Sequence, residues 1–432
     1  MFDHPERCAP GGDSGRPRPP HSHVTTSRYR FARVLIPSVS LGISACSTSS
    51  APAPESVPAE STRVSAMPHA APLTIAGTAS LLIHDMTGVS GGPTPASSLL
   101  FVPRGAPPAG GWPVIAWAHG TTTFGQKTCA PSLSPDLDGG LTADGLPSHY
   151  TYLVGALVDA GYAVVASDYE GLGQVATAPY PYYSAASLAR SLIAGVRAAH
   201  QVNDQLSSDW VVVGHSEGGR GALVVQAHAT EAPELALRGS VAYAPFVAVA
   251  AGVGSQLERA TSDPVYAANY SIVQNTLAAG LTLGVLAQSP GADLDPIMGA
   301  DLQQLLPTIA SQCSFDALAE VARAVAAKPA GEFAGIRADW LTSKVMTAFL
   351  AANDPAAMPG FALHLPTLVV QGSADTLVPE PPVTAFAAEL IAARAPVTYH
   401  VYEADHSTII TLATPDVLSF LADRFSDASA GL

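Results

Sequence analysis

The chain has 432 residues, 48% of them hydrophobic, and a formal charge of −15 at pH 7. A chain of this size can bury a large core, and its acidic balance argues against nucleic acid as a partner. No Cys-x-x-Cys or His-x-x-x-His spacing occurs, so no metal site is expected, and no glycine-rich phosphate loop calls for a cofactor.

Residues 1–27, rich in Pro, Arg and Gly, read as an N-terminal extension, with translation expected to begin near Val24. Arg28, Arg30 and Arg33 then precede an apolar stretch, 34–45, too short to span a bilayer and suited to a signal-peptide core. It ends in Ile43-Ser44-Ala45-Cys46, which resembles a bacterial lipobox, so 28–46 is read as an export signal with Cys46 as the lipidated residue. The alternative is simple secretion with cleavage near Ala45. Residues 47–72 are Ser, Pro, Ala and Glu without periodicity, and read as a flexible tether from the membrane.

Beyond the tether, short β-branched runs alternate with helical patterns. Strands are predicted at 79–86, 98–102, 114–118, 163–167, 210–213, 240–243, 368–371 and 398–402. Helices are predicted at 150–160, 185–200, 218–230, 383–393 and 415–425. The central strands are continuous and Val-rich, as in parallel sheets covered on both faces. The alternation predicts a doubly wound α/β core over 73–246 and 361–432, with a mostly parallel eight-stranded sheet. Residues 247–360 interrupt it after the sixth strand with Ala- and Leu-rich helical periodicity, and read as a helical cap. No transmembrane helix stands out after residue 46.

The most specific local signal is Val211-Val212-Val213-Gly214-His215-Ser216-Glu217-Gly218-Gly219. An apolar strand runs into Gly-x-Ser-x-Gly and a helix follows, which places Ser216 on a sharp turn as a nucleophile. A serine hydroxyl needs a base and a group that orients the base. Both follow in order: Asp375, in the loop after 368–371, and His406, after 398–402. Glu380 is the reserve for the acid. Glu403 and Asp405 lie too close to His406 in sequence to orient it. One oxyanion donor is expected from the amide of Glu217, whose side chain is read as solvated or paired with a cap residue. The second is either in His119-Gly120-Thr121 or at Asp168. Cys129 and Cys313 remain as a pair that an oxidising compartment would join as a disulfide, with two buried thiols as the alternative.

Three further runs add specificity: Trp117-Ala118-His119-Gly120-Thr121, then Cys129-Ala130-Pro131-Ser132, then Ser167-Asp168-Tyr169-Glu170-Gly171. With the serine motif, Asp375-Thr376-Leu377-Val378-Pro379 and Asp405-His406, they resemble the secretory lipase family. These are the lipase-A-type enzymes of yeasts and their bacterial relatives, and the resemblance spans roughly residues 75 to 425. It implies an α/β-hydrolase fold, a helical cap, and acylglycerol or simpler ester substrates. It also implies that Asp168 shapes the oxyanion hole, ahead of Gly120. Glu217 departs from the small residue expected of the yeast enzymes. The reading is therefore an exported ester hydrolase with Ser216, Asp375 and His406 as its triad. The alternatives are the same triad in another acyl transfer, or a surface-anchored binding protein with a vestigial site.

Overall fold

The computed structural model describes residues 64–69, 76–134, 136–138 and 149–429. The signal segment, Cys46 and the tether up to residue 63 lie outside the described residues. Among the described residues nine strands form one sheet: β1 (Ser65–Pro68), β2 (Thr78–Thr87), β3 (Pro93–Val102), β4 (Trp112–Ala118), β5 (Ala163–Ser167), β6 (Leu206–His215), β7 (Ala236–Tyr243), β8 (Thr367–Gly372) and β9 (Val397–Tyr402). Their spatial order is β1-β2-β3-β5-β4-β6-β7-β8-β9. The first three strands join antiparallel, as does β3 to β5, and all later pairs are parallel. This is the α/β-hydrolase arrangement.

The ninth strand is β1, which pairs Ser65 with Ile83 inside the segment read as tether. All four of its residues are exposed, so it buries nothing that hydropathy could register. The expected sixth strand is therefore β7.

Parallel strands buried on both faces need apolar residues at every position. On β4, Val114, Ala116 and Ala118 enter one core, while Ile115 and Trp117 enter the other. Helices α1 (His149–Asp159) and α10 (Thr408–Ser429) cover the second face. On the first face lie α2 (Ala185–Val202), α3 (Glu217–Val224) and α9 (Glu380–Ala392). Residue 415 was expected to open the last helix, but Pro415 lies inside α10. Buried Ile409, Ile410 and Ala413 recur at helical spacing before it, so packing overrides the proline signal.

His84 on β2 is buried, with Nε2 3.0 Å from Ser98 Oγ, and burial pushes it down to about 4. The unfolded chain therefore takes up a proton near pH 6.5 that the folded chain refuses until about pH 4. Relative to His84→Gln, the wild type is expected to lose ~1.4 kcal/mol of stability per pH unit as pH falls through that window. Urea midpoints measured against pH check this, and parallel curves for the two proteins would contradict it.

Between β7 and β8 the chain inserts α4 (Val249–Ser262), α5 (Pro264–Gln288), α6 (Ala300–Ala310), α7 (Ser314–Ala326) and α8 (Lys344–Asn353). Helix α5 starts at an Asp-Pro pair, where the Asp263 carboxylate caps the amides of Val265 and Tyr266 at 3.0 Å each. Its stretch Asn269–Gln288 is long and apolar enough to cross a membrane, and more than half of it is buried within the protein. The insertion is stapled to the loop after β4 by a disulfide between Cys129 and Cys313. Beside it, Thr123 Oγ1 donates to the Gln312 carbonyl and Ser314 N to the Thr122 carbonyl, each at 2.8 Å. The bond closes a sequence separation of 184 residues. Cys129→Ser with Cys313→Ser is expected to lower stability by about 3–5 kcal/mol, read from guanidinium unfolding. A loss below ~1 kcal/mol would assign the stapling to the hydrogen bonds alone.

Candidate active site

Strand β6 ends at His215 and α3 begins at Glu217, leaving Ser216 at φ 57° and ψ −116°. That backbone is strained for any residue with a Cβ, and it persists because its surroundings hold it. Ser216 N–H donates to the Tyr243 carbonyl at 2.9 Å, and the Ser216 carbonyl accepts from Phe246 N at 2.9 Å. The flanking glycines serve close approach. A Cβ on Gly214 would meet the Gly218 carbonyl oxygen at 2.0 Å, and one on Gly218 would meet that of Ala118 at 2.0 Å.

Asp375 follows β8 and is nearly fully buried. Its Oδ1 accepts the amides of Leu377 and Val378, both at 2.9 Å. Its Oδ2 faces His406 Nδ1 at 2.6 Å, with Gln371 Nε2 at 3.3 Å. The carboxylate fixes the proton on Nδ1 and leaves Nε2 as the acceptor. His406 and Ser216 line the same cavity. Among the described residues no hydrogen bond joins them, as is common where such contacts tighten only around a substrate.

His215 does not face the same way as its neighbour Ser216. Its Nε2–H donates to the His406 carbonyl at 2.8 Å, and its Nδ1 accepts from Tyr150 Oη at 2.8 Å. Tyr150 Oη in turn accepts the Gly120 amide at 3.0 Å. Burial, reinforced by nearby His406, holds His215 well below the ordinary histidine range, which keeps the ring neutral as this relay requires. Nothing in the sequence around Tyr150 signals this role.

The oxyanion donors need a correction. Asp168 was expected to supply one, but its amide donates to the Ser97 carbonyl at 3.0 Å in the β3–β5 pairing. Its carboxylate is fully buried against Ser97 Oγ, Ser132 Oγ and Ser132 N. Asp168 is thus a structural tie for the Cys129–Ser132 loop. The Gly120 amide is likewise engaged, by Tyr150. The amide of Thr121 has no acceptor among the described residues, and Thr121 lines the cavity with Ser216. Glu217 opens α3, where its amide has no carbonyl within its own helix.

The Glu217 side chain is not solvated; only 1% of the residue is exposed. Oε2 accepts Thr121 Oγ1 at 3.0 Å, and Oε1 accepts Tyr180 Oη at 2.8 Å and Tyr183 N at 3.4 Å. Arg220 NH2 lies 3.8 Å away, with its guanidinium over the Tyr183 ring at 3.9 Å. Burial pushes the Glu217 carboxyl up, and Arg220 opposes that rise.

The cavity measures about 500 Å³ and is mostly apolar. Phe246, Leu277 and Leu318 form part of its wall, so the inserted helices α5 and α7 line the same cavity as Ser216. Phe315 and Leu377, each more than half exposed, also line it. Among the described residues no group of three metal-ligating side chains gathers.

Sheet order, elbow and inserted helices define an α/β-hydrolase. Residues 147–409, more than half of the chain, match the family described as serine aminopeptidase, S33. The chain belongs to that family of hydrolases. No curated protein sequence matches it. Solved structures with the same fold include Candida antarctica lipase A in its closed state, at TM-score 0.63 and 17% identity over 84% of this chain and 81% of that one. The rice cell wall degrading esterase LipA of Xanthomonas oryzae has TM-score 0.56 and 19% identity, over 80% of this chain and 90% of its own. A Legionella pneumophila protein has TM-score 0.62 and 18% identity, over 80% of this chain and 88% of its own.

Proposed function

We propose that the protein hydrolyses carboxylic esters through an acyl-enzyme on Ser216. The observation that carries this reading is one mostly apolar cavity lined by a strained serine, by a histidine paired with a buried aspartate, and by Thr121, whose amide, like that of Glu217 next to the serine, has no acceptor among the described residues. His406 Nε2 takes the proton as Ser216 Oγ bonds to the ester carbonyl carbon. The amides of Glu217 and Thr121 hold the developing oxyanion. His406 then hands its proton to the leaving alkoxide, and water repeats the sequence to release the acid. A mostly apolar cavity that no Lys or Arg lines among the described residues suits the acyl part of an uncharged ester. The names lipase and esterase carried by two proteins of the same fold point the same way.

The family description favours a second reading, amide cleavage by the same residues. Turnover of p-nitrophenyl esters from acetate to palmitate, set beside p-nitroanilides of the same acids, separates the two. Esters turned over with anilides untouched support the first reading, and the reverse supports the second. The proposal extends to export through residues 28–46 with Cys46 lipidated. An unmodified mature terminus in the membrane fraction would contradict it.

A further inference from the structure

Glu217 was expected to contribute only its amide, yet it carries a carboxylate into the interior beside the nucleophile. Burying a carboxylate is unfavourable unless hydrogen bonds and a countercharge offset it. Here three donors and Arg220 do so, and they come from separate segments: Thr121 after β4, Tyr180 and Tyr183 before α2, and Arg220 one turn along α3. A buried ion pair is weak evidence for stability, because well-packed apolar groups would serve as well. What it does supply is a fixed geometry between the segments that meet on it.

The segment that matters is Thr121. Its hydroxyl donates to Glu217 Oε2 at 3.0 Å, its own amide has no acceptor among the described residues, and the residue lines the cavity with Ser216. Its carbonyl accepts from Ser314 Oγ at 3.3 Å. We propose that Glu217 is a positioning residue that sets the spacing of the oxyanion hole, giving one donor from its amide and gripping the second, Thr121, through its carboxylate. The inference rests on the ester-hydrolase reading of Ser216. Oxyanion donors act by being in place before charge develops, so slack between them weakens transition-state binding and leaves substrate binding alone. Arg220 keeps the net charge beside the oxyanion near zero, so the grip adds little repulsion.

The test is steady-state hydrolysis of p-nitrophenyl butyrate by full-length Thr121→Val, Thr121→Ser, Glu217→Ala and Glu217→Gln, with Ser216→Ala as reference. Removing a whole oxyanion donor lowers kcat by about 10²–10³, so a loosened one is expected to lower it by about 10–100-fold. Thr121→Val and Glu217→Ala are expected to show that loss in kcat, with KM within about twofold. The double variant should be no worse than the weaker single one, because each removes the same grip. Thr121→Ser, which keeps the hydrogen bond, and Glu217→Gln, which keeps the contact with the glutamine NH₂ donating to the Thr121 hydroxyl, should recover most of the loss. If Glu217→Ala does not fold, leaving Arg220 unpaired, the Thr121 pair decides alone. Unchanged kcat in Thr121→Val, or a loss in Thr121→Ser as large as in Thr121→Val, would overturn the coupling while the hydrolase reading stands. Full activity in Ser216→Ala would overturn both.

Discussion

Replacing Ser216 by alanine is expected to lower ester hydrolysis by about 10⁴–10⁶-fold with little change in folding. The substitution is clean because of where Ser216 sits. Its φ of 57° is strained for any residue with a Cβ, and alanine keeps the Cβ, so the backbone is neither relieved nor further stressed. The bonds that pin the turn, from Ser216 N–H to Tyr243 and from Phe246 to the Ser216 carbonyl, are backbone bonds and remain. Only Oγ is lost. The residual rate is expected to come from the Glu217 and Thr121 amides, the proposed oxyanion donors, acting on attack by water. Parallel thermal melts and ester turnover check this. A variant that folds normally and keeps more than about a tenth of the activity would rule Ser216 out as the nucleophile, since loss of a triad serine never leaves so much.

The second large effect is expected from Asp375→Asn, a fall of about 10⁴-fold in kcat with KM little changed. The argument lies in the hydrogen bonds. Oδ1 accepts two amides, from Leu377 and Val378, and Oδ2 accepts from His406 and Gln371. An asparagine keeps its carbonyl toward the two amides, because turning it over would leave both facing an NH₂ group. The NH₂ then faces His406 Nδ1, which must become the acceptor. The imidazole proton moves to Nε2, and the ring can no longer take a proton from Ser216. Asp375→Ala, which leaves the tautomer free, should be no worse in rate but less stable, because two loop amides lose their acceptor. Rates with melting curves for both variants check this. Asp375→Asn within about tenfold of wild type would show that another acid, such as Glu380, orients the base.

Much of this site is legible in the sequence because its causes are local. Gly214 is kept small by the Gly218 carbonyl four residues on, although Gly218 itself answers to the Ala118 carbonyl on β4. The order Ser216, Asp375, His406 follows from loops at the ends of strands that are themselves apolar runs. What escapes the sequence is long-range pairing. Asp168 reads as a site residue, and only the β3–β5 register shows its amide committed to Ser97. Glu217 reads as a surface charge because the groups that satisfy it are scattered from Thr121 to Arg220. Tyr150 and His215 reach His406 through a relay that crosses almost 260 residues of chain. Strand β1 escapes for the opposite reason: it is an exposed edge held by backbone bonds, and side-chain hydropathy does not report those.

The central claim is a covalent intermediate on Ser216, and the most direct measurement is its capture. The protein is mixed with p-nitrophenyl butyrate, quenched in acid within milliseconds, digested and read by mass spectrometry. A butyryl group on the peptide that contains Ser216, absent from Ser216→Ala, is the expected result. Ester turnover with no acyl adduct, or with the adduct on another residue, would contradict the account.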